Sequence, residues 1–370
     1  MHFFVEGQGF NNALHEFKRA GIKEAVIRAT SSRSIELSGF FQPNESWGTA
    51  VHLWVNVPLS RDTEAAACDA VMVRLKELIG IPTGEVEIEA DYFGFFVNRA
   101  MYDKALVECP PAFKKGMPGL DWDNSAGVNV KPEDCRAIAW VMRAMCSTED
   151  LCKRGFDRIC IRDGVAEATD AHRAHRANLS FGSPEMLVPA VMAGLMSRQP
   201  GTLNFRADAE QEYADYRSGA IRMCTVRLIG GAWPDFDKLI PYGSPSVTLL
   251  PKHVLETVES SVDGYKRAII RLSCGKGKRH LIVEGLEISS PMRPPFDALV
   301  KTGDGRQETA TLEEPCPFDN FGMGAEYNAA YLVDALAGFD GYARMYYAGE
   351  DAPLILANET GRAAIVMPIA

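Results

Sequence analysis

The run Asp170-Ala171-His172-Arg173-Ala174-His175 sets two imidazoles three residues apart with a carboxylate beside them. On a helix, that spacing could place His172 and His175 on one face, where Asp170 would complete a metal site able to activate water. The run follows an alternating stretch, however, and reads as a turn. No HExxH-type segment accompanies it. The cluster Cys274-Gly275-Lys276-Gly277-Lys278-Arg279 lacks the GxxxxGK[ST] order of a phosphate-binding loop and reads as a charged turn between strands. Gly7-Gln8-Gly9 lacks the third glycine of a dinucleotide fingerprint, and no GxSxG elbow occurs. The nine cysteines, at 68, 109, 135, 146, 152, 160, 224, 274 and 316, are odd in number and form no CxxC pair. That pattern predicts reduced thiols, mostly small buried hydrophobes, in a cytoplasmic protein. The sequence therefore calls for no catalytic residue, no metal and no cofactor. A hydrolase built on Asp170, His172 and His175 stays as a rival, to be favoured by stoichiometric bound metal.

These residues need elements to position them, and the chain supplies three similar sets. Each begins with a short alternating strand, a break and an amphipathic helix. The first is Phe3-Phe4-Val5, then a helix near 10–20 with Ala13, Leu14 and Phe17 on one side. The second is Val128-Asn129-Val130, then a helix at about 132–146 carrying Ile138, Val141, Met142 and Met145. The third is Val247-Thr248-Leu249, then a helix at about 251–262 carrying Val254, Leu255, Val258 and Val262, with Pro251 suited to a first turn. Second helices are expected near 62–79, 185–198 and 326–339, each followed by a strand pair. Examples are 85–88 with 95–97, and 343–346 with 353–356. The period is about 120 residues, the size of a small domain. The predicted class is α+β, with two helices against antiparallel sheets in each of three domains: 1–122, 123–243 and 244–370. Pro/Gly-rich stretches at 109–125 and 241–245 read as linkers.

Length and composition agree with this division. The 370 residues are too many for one ordinary core, and 46% hydrophobic with 24% charged residues is a globular profile. No apolar run reaches the roughly 18 residues that span a bilayer, and the N-terminal segment lacks signal-peptide character. A net charge of −10 argues against nucleic acid unless the cations are gathered on one surface.

The C-terminal third resembles the bacterial β sliding clamp family. The segment Tyr327-Asn328-Ala329-Ala330-Tyr331-Leu332-Val333-Asp334-Ala335-Leu336 is similar to the family's FN-x-x-YL-x-D-x-L helix. The tail Ile365-Val366-Met367-Pro368-Ile369-Ala370 is similar to VMPMRL. Ala168-Thr169-Asp170-Ala171-His172-Arg173 looks like the ATDGHR turn. Gly231-Ala232-Trp233-Pro234-Asp235-Phe236, with Lys238-Leu239-Ile240-Pro241 after it, looks like GRFPDY…VLP. The four segments keep the family's order and cover the chain from about residue 126. The first domain matches only in its repeat pattern and its opening strand and helix.

The resemblance implies a non-enzymatic processivity factor. Two chains would close head to tail into a six-domain ring around duplex DNA, with helices lining the hole. The implied partners are double-stranded DNA read without sequence specificity, a replicative polymerase, a separate clamp loader, other proteins carrying clamp-binding motifs, and a second copy of the chain. No membrane is implied, and the expected location is the cytoplasm beside the nucleoid. Cations on or beside the lining helices are the candidates for facing DNA: Lys18, Arg19, Lys23, Arg74, Lys76, Lys131, Arg136, Arg143, Arg198 and Lys252. Each alone could be no more than a solvated helix face.

Clients of the family bring a short peptide with Leu and Phe anchors to a pocket between the second and third domains. Carried over by motif, that pocket comprises Thr169, Ala171, His172, Arg173, Ala174, Pro234, Lys238, Leu239, Val366, Met367, Pro368 and Ile369, with Asn328 and Tyr331 at its edge. Leu239 and Val366 could equally be core. Ala171 stands at the family's usual Gly, Ala174 at its Leu, and the closing Arg-Leu is absent. A shallower pocket or a different preferred peptide would follow. The main alternative is a clamp-fold peptide-binding adaptor that does not close around DNA.

Overall fold

The computed structural model describes residues 1–41, 50–62, 70–90, 95–102, 106–107, 127–146, 156–207, 211–228, 233–239, 246–263, 268–275, 277–287, 306–317, 325–349 and 351–369. Both expected linkers, Cys68, Cys109, Cys152 and Ala370 lie outside these residues. The chain forms two compact units, Met1–Lys131 with Gln199–Gly230, and Pro132–Arg198 with Gly231–Ala370. Residues 123–243, expected as one domain, thus contribute to both.

Unit one holds a four-stranded antiparallel sheet in the order His2–Glu6, Glu85–Ala90, Phe95–Val97, Ala100–Met101. It also holds a nine-stranded sheet: Val128–Val130, Gly201–Ala207, Gln211–Ser218, Ile221–Leu228, Ala50–Pro58, Ser34–Phe41, Glu24–Ser31, Ala70–Arg74, Leu106–Val107. Helix α1 spans Gly7–Arg19 and starts where the Glu6 carboxylate accepts the N–H groups of Gln8 and Gly9. Phe10, Ala13, Leu14 and Phe17 recur at helical spacing and are buried. Each of the large side chains contributes about 1.5–3 kcal/mol by leaving water.

Unit two holds an eight-stranded sheet: Met186–Pro189, Arg158–Arg162, Val165–Thr169, Arg173–Asn178, Ala363–Val366, Leu354–Ala357, Ala343–Tyr346, Ser246–Leu249. Its second sheet runs Arg306–Thr311, His280–Glu287, Ala268–Ser273, Glu326–Asn328. The helices are α2 (Pro132–Val141), α3 (Ala190–Met196), α4 (Pro251–Val262) and α5 (Ala329–Leu336). Pro251 opens α4 as expected. Among the described residues, no helix is long and apolar enough to cross a membrane.

Three expectations need correction. The helix foreseen at 62–79 is absent over its described part, because Ala70–Arg74 is a strand paired with Glu24–Ser31 and only Leu75–Glu77 makes a 3-10 turn. The apolar residues Val71, Met72 and Val73 suit either element, and pairing with an open sheet edge decides in favour of the strand. The second helices of the later repeats are shorter than foreseen, since 186–189 and 326–328 are strands that lead into α3 and α5. The thiols are not all reduced: Cys274 and Cys316 form a disulfide, while Cys135, Cys146, Cys160 and Cys224 are buried and outside any disulfide.

An aromatic stack ties unit two together. His175 is fully buried, lies on the Trp140 indole at 4.5 Å, and its Nδ1 is 3.0 Å from the Trp140 carbonyl. Trp140 Nε1 donates to the Asp334 carbonyl at 2.8 Å, joining α2 to α5. A side chain at Gly338 would collide with the indole, its Cβ falling 1.9 Å from Trp140.

Burial lowers the His175 pKa to about 4. The unfolded chain binds a proton there near pH 6.5, so stability must fall as pH drops from 6.5 through 4. This residue's share is about 3 kcal/mol across that window. His175→Gln should remove that share from the difference between urea titrations at pH 7 and pH 4. An unchanged pH dependence in the variant would contradict the assignment.

Candidate functional site

The turn after strand Val165–Thr169 is built by its own side chains. Thr169 Oγ1 donates to the Arg173 carbonyl at 2.7 Å and accepts the Ala171 N–H at 3.0 Å. Asp170 Oδ1 accepts the N–H groups of His172 (3.0 Å) and Arg173 (2.9 Å). This wrapping forces Ala171 to φ +72°, the left-handed region. A glycine would adopt this conformation without cost, and Ala171 is strained in it.

Arg173 is the hub of the turn. Its Nε bonds Asp170 Oδ2 at 3.0 Å, its Nη1 bonds Asp334 Oδ2 at 2.7 Å, and its guanidinium lies 4.2 Å from the Tyr331 ring centroid. Asp334 also receives Arg143 Nη1 at 3.3 Å. Asn328 caps α5 by accepting the N–H groups of Ala330 and Tyr331. The tail is stitched to the same turn: Arg173 pairs with Val366, Met367 donates its N–H to the His172 carbonyl at 2.9 Å, and Ile369 donates to the Glu326 carbonyl at 2.7 Å. Pro368 bridges Tyr327.

Strand alternation then sorts these residues onto two faces. Ala174 and Ile365 are cross-strand partners and form an apolar cluster with Ile355 and Phe236, against which Trp233 and Tyr346 pack. Thr169 pairs with Ala174 and shares that face. Arg173 and Val366 belong to the opposite, helix-covered face, where Val366 is core at 1% exposure. Leu239 and Met367 are by contrast unusually open for large apolar residues, at 49% and 40% exposed. Asp235 accepts the Asp237 N–H and pairs with Lys238 at 3.2 Å, so Pro234, Lys238 and Leu239 ride on a turn pinned by buried Phe236. The same face carries Glu167, fully buried between Arg162 (3.3 Å) and Arg176 (3.6 Å), its carboxyl pushed above its ordinary pKa by burial.

Motif reading thus assembled the turn, the tail and the edge of α5. It missed Asp170 and Asp334, which orient Arg173, and Trp233, Phe236, Ile355, Ile365 and Tyr346, which make the apolar floor. Trp233 and Phe236 stood inside a quoted segment, but nothing in their spacing separated floor from core.

The ten candidate cations are all exposed. Lys18, Lys23, Arg74 and Lys76 converge on an open concavity of about 670 Å³ in unit one, with Gly21, Ile22, Glu24, Leu75 and Ile79. Arg19 pairs with Glu16, Arg74 with Glu24 at 3.8 Å, and Lys76 with Glu77 at 3.5 Å. Lys131 is also in unit one, whereas Arg136, Arg143, Arg198 and Lys252 belong to unit two. Among the described residues, no group of three or more His, Cys, Asp or Glu could hold a metal. His172 is exposed, while His175 is buried in its aromatic stack.

Sheets joined across sequence repeats, with a helix opening each repeat, define the DNA sliding clamp fold. Solved structures similar to this chain include three bacterial β clamps matched over the full length of both chains. DNA polymerase III subunit beta from Pseudomonas aeruginosa is 18% identical with a TM-score of 0.68. The sliding clamp from Caulobacter crescentus is 16% identical at 0.71. The Helicobacter pylori beta clamp, solved with a DNA ligase peptide, is 14% identical at 0.71. No protein-family model and no curated protein matches the sequence.

Relieving the turn should raise stability. The left-handed region costs an alanine about 1–2 kcal/mol, and glycine gives back about 0.5–1 kcal/mol through unfolded-chain entropy. Ala171→Gly should therefore stabilise by up to about 1 kcal/mol in urea denaturation, and Ala171→Val should destabilise. A destabilised glycine variant would contradict the strain.

Proposed function

We propose that this chain is a DNA polymerase processivity factor, a sliding clamp whose two copies close into a ring around duplex DNA. The observation that carries this is a repetition of sheet edges. Strands Ala100–Met101, Ile221–Leu228 and Ala363–Val366 each end a four-strand run that begins with the first strand of a repeat. Strands Ala50–Pro58, Arg173–Asn178 and Arg306–Thr311 each end the complementary run. Two such pairs are joined within the chain: Ile221–Leu228 with Ala50–Pro58, and Ala363–Val366 with Arg173–Asn178. The third pair, Ala100–Met101 and Arg306–Thr311, lies at sheet edges among the described residues. A second copy, head to tail, would supply both missing partners and leave neither edge open. Met101, at 54% exposed, stands on one of them. On this reading the three domains are 1–122, 123–243 and 244–370, and each joint is a shared sheet.

A closed ring holds DNA by topology, so its inner surface needs only a screened, sequence-independent positive potential. The ten exposed cations suit that role as a set. No catalysis is required. A replicative polymerase and other clients would be tethered by a peptide settling on the exposed Leu239 and Met367 beside the buried cluster of Ala174, Phe236, Ile355 and Ile365. A separate clamp loader would open the ring, and the cytoplasm beside the nucleoid is the place of work.

Light scattering at micromolar concentration should give a mass of about 81 kDa, twice the 40.6 kDa chain. Met101→Arg should weaken the dimer roughly tenfold or more by putting a charge where closure would bury an apolar side chain. A wild-type monomer would contradict closure and favour the peptide-binding adaptor. A Met101→Arg protein that dimerises like wild type would overturn the edge assignment.

A further inference from the structure

The strand Arg306–Thr311 is lightly held. Of its residues only Ala310 is buried, so little apolar area keeps it in place. Among the described residues its backbone pairs on one side alone, with His280–Gly285. At its start, Arg306 Nη1 donates to the Asp263 carbonyl at 2.9 Å. Past its end stands Cys316, in a disulfide with Cys274. Cys274 follows Ala268–Ser273, the third strand in from that edge. The bridge therefore reaches past the second strand and ties the outermost strand to the sheet's interior. Its two cysteines are 42 residues apart in sequence and enclose both outer strands. Closing so long a loop removes much freedom from the opened chain. A disulfide in a protein of the cytoplasm also stands against a reducing poise, and such bonds mostly serve to change state. The turn beside this one suits exchange. Gly277–His280 is exposed, and the Lys278 carbonyl accepts the Cys316 N–H at 3.0 Å. Lys278 and Arg279 thus put cations near the pair, which favours the thiolates that exchange requires. Both cysteines are buried, so a reductant reaches them only when this edge opens.

We propose that the Cys274–Cys316 pair is a redox-sensitive lock on the Arg306–Thr311 edge: oxidised, it holds the strand ready for a second copy, and reduced, it weakens closure. This rests on the reading of that strand as one half of the joint between two copies. The electrons come from a dithiol. One thiolate of the dithiol attacks a cysteine sulfur, the S–S bond breaks, and a mixed disulfide forms. Its second thiolate then displaces the protein's sulfur. Cys274 and Cys316 end as thiols, having gained two electrons and two protons, and the dithiol ends as its own disulfide. The coupling is reciprocal. If reduction loosens the edge and weakens the dimer, a partner laid on the edge must hold it shut and slow reduction.

The test compares the full-length protein before and after native treatment with dithiothreitol, beside a Cys274→Ser/Cys316→Ser double variant. Alkylation and peptide mass spectrometry report the state of the pair in each sample. Sedimentation over a dilution series gives the dimer dissociation constant, and hydrogen exchange follows the backbone of 306–311. Reduction should raise the dissociation constant roughly tenfold. It should speed exchange in Arg306–Thr311 and leave Ile221–Leu228, in the other unit, unchanged. The double variant should sit at the weaker value with or without dithiothreitol. A cross-link that only stabilised the fold would not single out the one edge. An equal dissociation constant in oxidised and reduced wild type would overturn the proposal while leaving ring closure intact, and this comparison holds even if the double variant fails to fold. A pair that stays oxidised in native dithiothreitol would overturn it too. A wild-type monomer in both states would overturn the closure reading itself, and this proposal with it.

Discussion

A strand edge is a row of backbone N–H and C=O groups that must find partners, and the architecture of this chain follows from how it meets that demand. Within each unit, strands from different repeats complete one another's sheets. Ile221 opposite Val55 and Arg173 opposite Val366 mark the two joints. Backbone pairing is indifferent to side-chain identity. The joints can therefore persist while the sequence drifts, which accounts for a full-length structural likeness at 14–18% identity.

The candidate site sits on one of these joints. The strand that carries Ala174 and the strand that carries Ile365 come from different repeats, so the joint itself makes the apolar floor. Arg173 fixes the floor from behind through Asp170, Asp334 and the Tyr331 ring. Its charge is thereby committed to holding α5 and the tail in place. The strained Ala171 belongs to the same turn and shows that the turn is imposed by its hydrogen bonds against local preference.

Much of this was legible in the chain. Pro251 and the stripe of Val254 and Val258 fixed α4 to its ends, and Val128–Val130 emerged as a strand as read. The segment 62–79 misled because Val71, Met72 and Leu75 satisfy a helical period and a strand about equally, and only a neighbouring strand edge breaks the tie. Trp233 and Phe236 could not be ranked above other apolar residues, since their role depends on Ile355 and Ile365, more than a hundred positions away. The Cys274–Cys316 pairing escaped for the same reason: sequence distance hides spatial proximity.

The proposed hold on DNA is by encirclement and not by affinity. It is tested most directly by loading the labelled protein onto nicked circular DNA, removing free protein, and following its release before and after a single restriction cut. Encirclement predicts slow release from the circle and at least tenfold faster loss once an end is made, with little dependence on DNA sequence. Equal release from circular and linear DNA would contradict the account.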